Sequence, residues 1–245
     1  MRKRVDKVSK IRKRMAIKDC YMKDKINKKV LVVASGGMDS TVALAKAVND
    51  YEYVEAVSFK YGSNHNDREY AVLEKTCIKY GVKLMRIDLD FIHKYFKSSL
   101  LEGADSIPEG HYAEDNMKST VVPYRNGIML SIAAGLAESR DLDAIILGNH
   151  SGDHTVYPDC RPSFIASIST AIKEGTWKKI ETISPFCDMT KADIARLGSK
   201  LGVDFSLTYS CYKGGEKHCG KCGTCVERKE AFELAGINDP TEYEV

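Results

Sequence analysis

Two clusters in this 245-residue chain have residue types and spacing suited to chemistry. The first is Ser35-Gly36-Gly37-Met38-Asp39-Ser40, directly after the apolar run Val30-Leu31-Val32-Val33-Ala34. Paired glycines admit φ > 0 and let backbone N–H groups approach an anion with no side chain in the way. Ser35 and Ser40 add hydroxyl donors, and a helix starting here turns its partly positive N-terminus to the same point. No Gly-Lys-Ser/Thr ending follows, which excludes the lysine-bearing loop that grips a transferable γ-phosphate. The nucleotide-binding residues are therefore read as Ala34, Ser35, Gly36, Gly37, Met38, Asp39, Ser40, Thr41, Val42, Ala43 and Leu44.

The second cluster is Cys211-x7-Cys219-x2-Cys222-x2-Cys225, four soft thiolates within fifteen residues. A structural zinc takes four ligands in a tetrahedron with Zn–S near ~2.3 Å, and an iron–sulfur cluster takes the same ligands. Gly214, Gly215, Gly220 and Gly223 supply the tight turns that a short chain needs to wrap an ion. His218 lies inside the cluster, but adjacent Cys219 competes for its position. Four protein ligands leave no open coordination position, so the expectation is one structural Zn2+. Cys20, Cys77, Cys160 and Cys187 are scattered singly. Crowded thiols in a chain with no signal peptide point to metal ligation in a reducing cytoplasm rather than to disulfides.

These clusters need elements to position them. The run at 30–34 reads as a strand covered on both faces, followed by a helix over 40–48. Further strands are predicted at 53–59, 83–89, 144–148 and 180–184, and helices at 67–80, 126–140 and 163–174. A short helix begins at Phe91. Thr190-Lys191-Ala192-Asp193 opens another, with Thr190 as N-cap and Asp193 at the third helical position. Alternating strands and helices predict an α/β fold with a doubly wound, mainly parallel sheet, whose ligands sit beyond the carboxyl ends of the strands.

Hydrophobic residues at 43% and charged residues at 29% suit a globular chain, and no apolar run approaches the ~20 residues of a membrane span. Much of the +3 net charge sits in the first 29 residues, in Arg2-Lys3-Arg4 and Arg12-Lys13-Arg14. Few aromatics interleave these charges, so they read as a solvated tail rather than a nucleic-acid arm. The expected organisation is a basic extension over 1–27, an ATP-binding α/β domain over 28–205, and a zinc-binding segment with a helix over 206–245.

The loop resembles the pyrophosphate loop of the N-type ATP pyrophosphatases, enzymes that cleave ATP at the α-phosphate. Between the clusters lie Phe59-Lys60-Tyr61-Gly62 with His65, Val122-Pro123-Tyr124-Arg125-Asn126, Tyr157-Pro158-Asp159-Cys160-Arg161, Thr190-Lys191-Ala192-Asp193-Ile194 and Ser210-Cys211-Tyr212-Lys213-Gly214. In this order, over residues 28–236, the chain resembles the 7-cyano-7-deazaguanine synthases of queuosine biosynthesis. The family pattern more often has Gln-Arg at Ser63-Asn64 and Gly at Tyr124.

The resemblance implies a ligase that joins 7-carboxy-7-deazaguanine and ammonia in two ATP-driven stages, using Mg2+, through adenylated carboxylate and amide to the nitrile. It also implies a bound zinc and a homodimer, and places Asp39 in the metal–pyrophosphate region. Within it, Arg125 or Arg161 is expected to clamp the carboxylate or a phosphate by paired N–H donors. Asp159 is expected to read the guanine-like edge, Lys191 to neutralise departing pyrophosphate, and His65 to bind phosphate or move a proton. The alternatives are an amide-forming relative acting on another amine, and a tRNA-modifying transferase drawing on Cys160 and Cys187.

Overall fold

The computed structural model describes residues 25–104, 106–110, 115–150, 152 and 156–244. Residues 1–24 of the basic extension, with Cys20, lie outside this set. Five strands, β1 Ile26–Val33, β2 Tyr51–Lys60, β3 Lys83–Asp88, β4 Ala144–Ile146 and β5 Glu181–Ile183, form one sheet in the order β3-β2-β1-β4-β5. Every pairing is parallel. Among the described residues the helices are α1 Met38–Asp50, α2 Asn66–Tyr80, α3 Asp90–Tyr95, α4 Arg125–Ser139, α5 Pro162–Gly175, α6 Lys191–Lys200 and α7 Gly223–Ala235.

Alternation along β1 explains its unbroken apolar run. Val30 and Val32 join one core with Val42 and Leu44 of α1, Leu73 of α2, Ile194 of α6 and Phe232 of α7. Leu31 joins a second core on the opposite face, with Leu130 and Ala133 of α4 and Ile165 and Ile168 of α5. A strand buried on both faces has no polar side, so period-two patterning is lost. β1 itself begins at Ile26, before the apolar run, because backbone pairing with Tyr51 of β2 needs no burial.

The strand order reverses between β1 and β4, so the carboxyl ends of these two strands flank a crevice. The loop after β1 opens into it. Across the crevice, α6 starts with the expected capping box: the Thr190 side chain accepts from Asp193 N, and the Asp193 side chain accepts from Thr190 N. The Thr190→Ala variant is expected to lose about 1 kcal/mol of stability in urea unfolding, the usual worth of an N-cap side chain.

The segment after α6 is pinned by Arg228 of α7, which is fully buried. Its guanidinium donates to Asp239, Thr208 Oγ1, Ser210 Oγ and the Phe205 carbonyl. A charge with all its donors satisfied stands burial, whereas an unpaired one would not.

Candidate active site

The crevice is a cleft of about 240 Å³. Its floor is the loop. Ser35 N and Gly36 N both donate to Ser40 Oγ at 3.2 Å, and Gly37 N donates to Ser35 Oγ at 3.1 Å. The N–H groups thus converge beside the N-terminus of α1, an arrangement that favours an anion. Gly36 has φ 105°, and a Cβ there would sit 2.2 Å from the Glu69 carbonyl oxygen. The strand-to-helix turn can therefore pass beneath α2 only without a side chain.

Ala34, Ser35, Gly37, Met38, Asp39 and Ser40 line the cleft. Thr41, Val42, Ala43 and Leu44 do not: all four are buried within α1, and Val42, Ala43 and Leu44 pack in the core beneath it. The helix turns these four side chains inward, so any contact they make with a nucleotide runs through the backbone at the start of α1.

One wall carries Tyr61, His65, Glu69, Arg125, Tyr157 and Tyr212. Arg125 opens α4, donates to Tyr61 Oη at 3.1 Å and lies over the same ring at 5.5 Å. Tyr157 Oη is 3.0 Å from both Tyr212 Oη and Thr120 Oγ1. The N-cap of α4 is Tyr124 at φ 53°, in the left-handed region that favours glycine. Its ring meets Phe164 edge-on at 5.6 Å.

His65 is buried at the N-cap of α2, its ring 5.3 Å from that of Tyr212. Burial, with Arg125 adding to it, pushes its pKa down to about 4, so the imidazole is neutral at pH 7. A neutral imidazole keeps one N–H donor and one acceptor nitrogen, so both expected roles, binding phosphate and moving a proton, remain open to it.

The opposite wall holds a charge cluster. Lys191 Nζ lies 3.2 Å from Asp39 Oδ2 and 2.6 Å from Glu227 Oε2. His150 Nε2 is 3.9 Å from Asp39 Oδ2 and 4.0 Å from Glu227 Oε1. Three elements meet here: Asp39 comes from α1, Lys191 from the first turn of α6, and Glu227 from α7. Asp39 Oδ1 is buried with no hydrogen-bond partner among the described residues, as a carboxylate oxygen meant for a cation would be.

The four sulfurs of Cys211, Cys219, Cys222 and Cys225 lie within 4.8 Å of one another, all on buried residues, and can hold a metal ion. A tetrahedron with ~2.3 Å metal–sulfur bonds has sulfur–sulfur edges of about 3.8 Å, and the Cys219–Cys225 separation is 4.0 Å. His218 stands aside from the ligand set: its Nε2 accepts from Ser210 N at 2.9 Å. Gly214 and Gly220 take the left-handed turns expected of them, at φ 70° and 71°.

Two expected residues fall elsewhere. Arg161 is exposed at the N-cap of α5 and does not line the cleft. Pro162, which follows it, starts the helix there, its fixed φ suiting the first helical position. Asp159 is buried, with Oδ2 accepting from Asn126 N at 2.8 Å, so one oxygen is spent on the free N–H groups at the start of α4. Neither spacing nor composition distinguishes that capping use from a substrate contact. Cys160 lines the cleft and Cys187 does not, so the thiol pair of the transferase alternative is not assembled there.

Glu69 and Glu227 escaped sequence reading. Glu69 had a usable signal, since it follows His65 by one helical turn. Glu227 had none, because only the packing of α7 against α6 brings it to Lys191.

The family model for "Queuosine biosynthesis protein QueC" matches residues 29–236. The 7-cyano-7-deazaguanine synthase of Porphyromonas gingivalis is 55% identical over 214 residues, covering 87% of this chain and 96% of that protein. The synthase of Desulfotalea psychrophila is 50% identical over 213 residues, covering 87% and 97%. That of Pseudoalteromonas atlantica is 47% identical over 216 residues, covering 88% and 99%.

Proposed function

The chain belongs to the queuosine biosynthesis protein QueC family, and we propose that it converts 7-carboxy-7-deazaguanine and ammonia, with ATP, into 7-cyano-7-deazaguanine. The observation that carries this reading is 55% identity to a synthase of that name, over 96% of its length, with the loop and the four cysteines inside the matched span. The chemistry follows from the substrate. A carboxylate conjugated to an aromatic ring is a poor electrophile, and adenylation turns one oxygen into a leaving group. Ammonia then gives the amide, and activating the amide oxygen in the same way permits dehydration to the nitrile.

The chain's residues divide this work. The N–H groups around Ser35 and Gly37 bind the phosphates, and Lys191, close to Asp39, meets charge on departing pyrophosphate. Asp39 holds Mg2+, in keeping with its buried, unbonded Oδ1. Arg125 holds the substrate carboxylate, and the tyrosines around it pack the deazapurine ring. Cys211, Cys219, Cys222 and Cys225 hold one zinc, a metal suited to four thiolates. Homodimer formation rests on the family resemblance, and light scattering tests it. We assign the enzyme to the cytoplasm, where such thiols stay reduced; among the described residues no helix is long and apolar enough to cross a membrane.

Purified enzyme incubated with 7-carboxy-7-deazaguanine, ammonium, ATP and Mg2+ is expected to yield first the amide and then the nitrile, separated by mass. Amide that never becomes nitrile would support an amide-forming relative instead. No turnover of the carboxylate would overturn both.

A further inference from the structure

One ionisable group on the cleft wall has no part in the scheme above. Glu69 stands in the first turn of α2 and reaches toward the phosphate loop. Its Oε1 lies within 3.5 Å of where a Cβ on Gly37 would stand, and its carboxylate accepts from the Ser35 hydroxyl. Oε2 lies 3.9 Å from His65 Nε2, and the side chain is 14% exposed. The titratable and charged groups facing it are His65 from the start of its own helix and Arg125 from α4.

A carboxylate beside a phosphate cradle repels the anion, so its presence there calls for a cation or a proton. Asp39, on the far side of the loop, already accounts for a metal beside Lys191. The other reactant is a cation. Ammonia in neutral water is mostly NH4+, which has no lone pair and must lose a proton before attack.

We propose that Glu69 is the docking point and proton acceptor for the ammonium co-substrate, an assignment that rests on the ligase reading above. NH4+ pairs with the carboxylate and gives it one proton. The nitrogen lone pair forms the N–C bond to the activated carbonyl carbon. The C–O bond to AMP breaks with its electron pair on the phosphate oxygen, and the second surplus proton on nitrogen passes to water. Burial raises the Glu69 pKa to about 7 against the opposing effects of Arg125 and the Ser35 hydroxyl, which suits an acceptor that must load and unload near neutral pH.

Two nucleophiles and one partial reaction test the assignment in Glu69→Gln. Exchange of labelled pyrophosphate into ATP, dependent on 7-carboxy-7-deazaguanine, reports adenylation without ammonia. Hydroxylamine is neutral at pH 7.5 and attacks without prior deprotonation, giving a hydroxamate. The kcat/KM for ammonium is expected to fall about a hundredfold, with exchange and hydroxamate formation within about fivefold of wild type. Loss of exchange in the folded variant would overturn the assignment, since Glu69 would then serve ATP or its metal. Equal losses with ammonium and hydroxylamine would also overturn it, because Glu69 would then be placing the acyl group. Should Glu69→Gln fail to fold, Glu69→Asp keeps the charge with shorter reach and is expected to lose rate with ammonium alone. Wild-type enzyme with no substrate-dependent exchange would instead sink the ligase reading itself.

Discussion

Removing the metal from the four-cysteine site is expected to disorder the segment around residues 209–227 and to abolish activity with it. The site's own core is small: the four sulfurs and Tyr209, with Val72, Ile107, Tyr212 and Tyr243 only partly buried against them. Without an ion, four buried thiols at this separation have neither charge balance nor strong bonds to offset the ordering of a glycine-rich hairpin. The hairpin is also tied to the cleft. Tyr209 N donates to the Gly36 carbonyl at 3.0 Å, and a Cβ on Gly214 would lie 2.0 Å from the Asn64 carbonyl, one residue before His65. Glu227, two residues beyond the last ligand, holds Lys191.

Chelator-treated protein is therefore expected to melt at least about 10 °C lower than the metal-loaded form, corresponding to several kcal/mol. ATP–pyrophosphate exchange is expected to be lost in parallel and restored by zinc. An unchanged melting temperature after verified metal removal would show that the hairpin holds by packing alone.

Gly36→Ala is expected to lower exchange activity about a hundredfold while leaving a folded protein. The new methyl meets backbone, which cannot swing aside: the Glu69 carbonyl oxygen at 2.2 Å and its carbon at 2.9 Å. The φ of 105° adds strain for any L side chain. Relief requires the loop and the start of α2 to part by about an ångström, and displacements of that size in positioning groups cost on the order of a hundredfold in rate. The shift also moves His65 and Glu69 away from the N–H groups of the loop. Near-normal exchange in the variant, with circular dichroism unchanged, would mean that the loop tolerates displacement and that its N–H groups are not set for the phosphates.

Much of this architecture was legible before any coordinates. The buried run at 30–34 predicted the central strand, and the Gly-Gly turn after it predicted an anion site at the crevice. The thiol spacing predicted the ligand set. These features are local: each lies within a few residues of chain, and its physics is complete within them. The Thr190 and Asp193 capping box was read correctly for the same reason.

What depended on distant chain was not legible. Asp159 and Arg161 stand in one short string, yet the fold turns one inward to cap α4 and the other out to solvent. Tyr124 occupies a left-handed N-cap that its own sequence neighbourhood does not announce. By itself the sequence determined the kind of site: a glycine-rich turn suited to an anion, and four thiols able to hold a metal. Only the tertiary structure decided which side chains line the cleft above that turn. Lys191 and Glu69 line the cleft, and Glu227 reaches Lys191, because helices from three regions of the chain converge on the carboxyl end of one parallel sheet, and that convergence is set by packing on both of its faces.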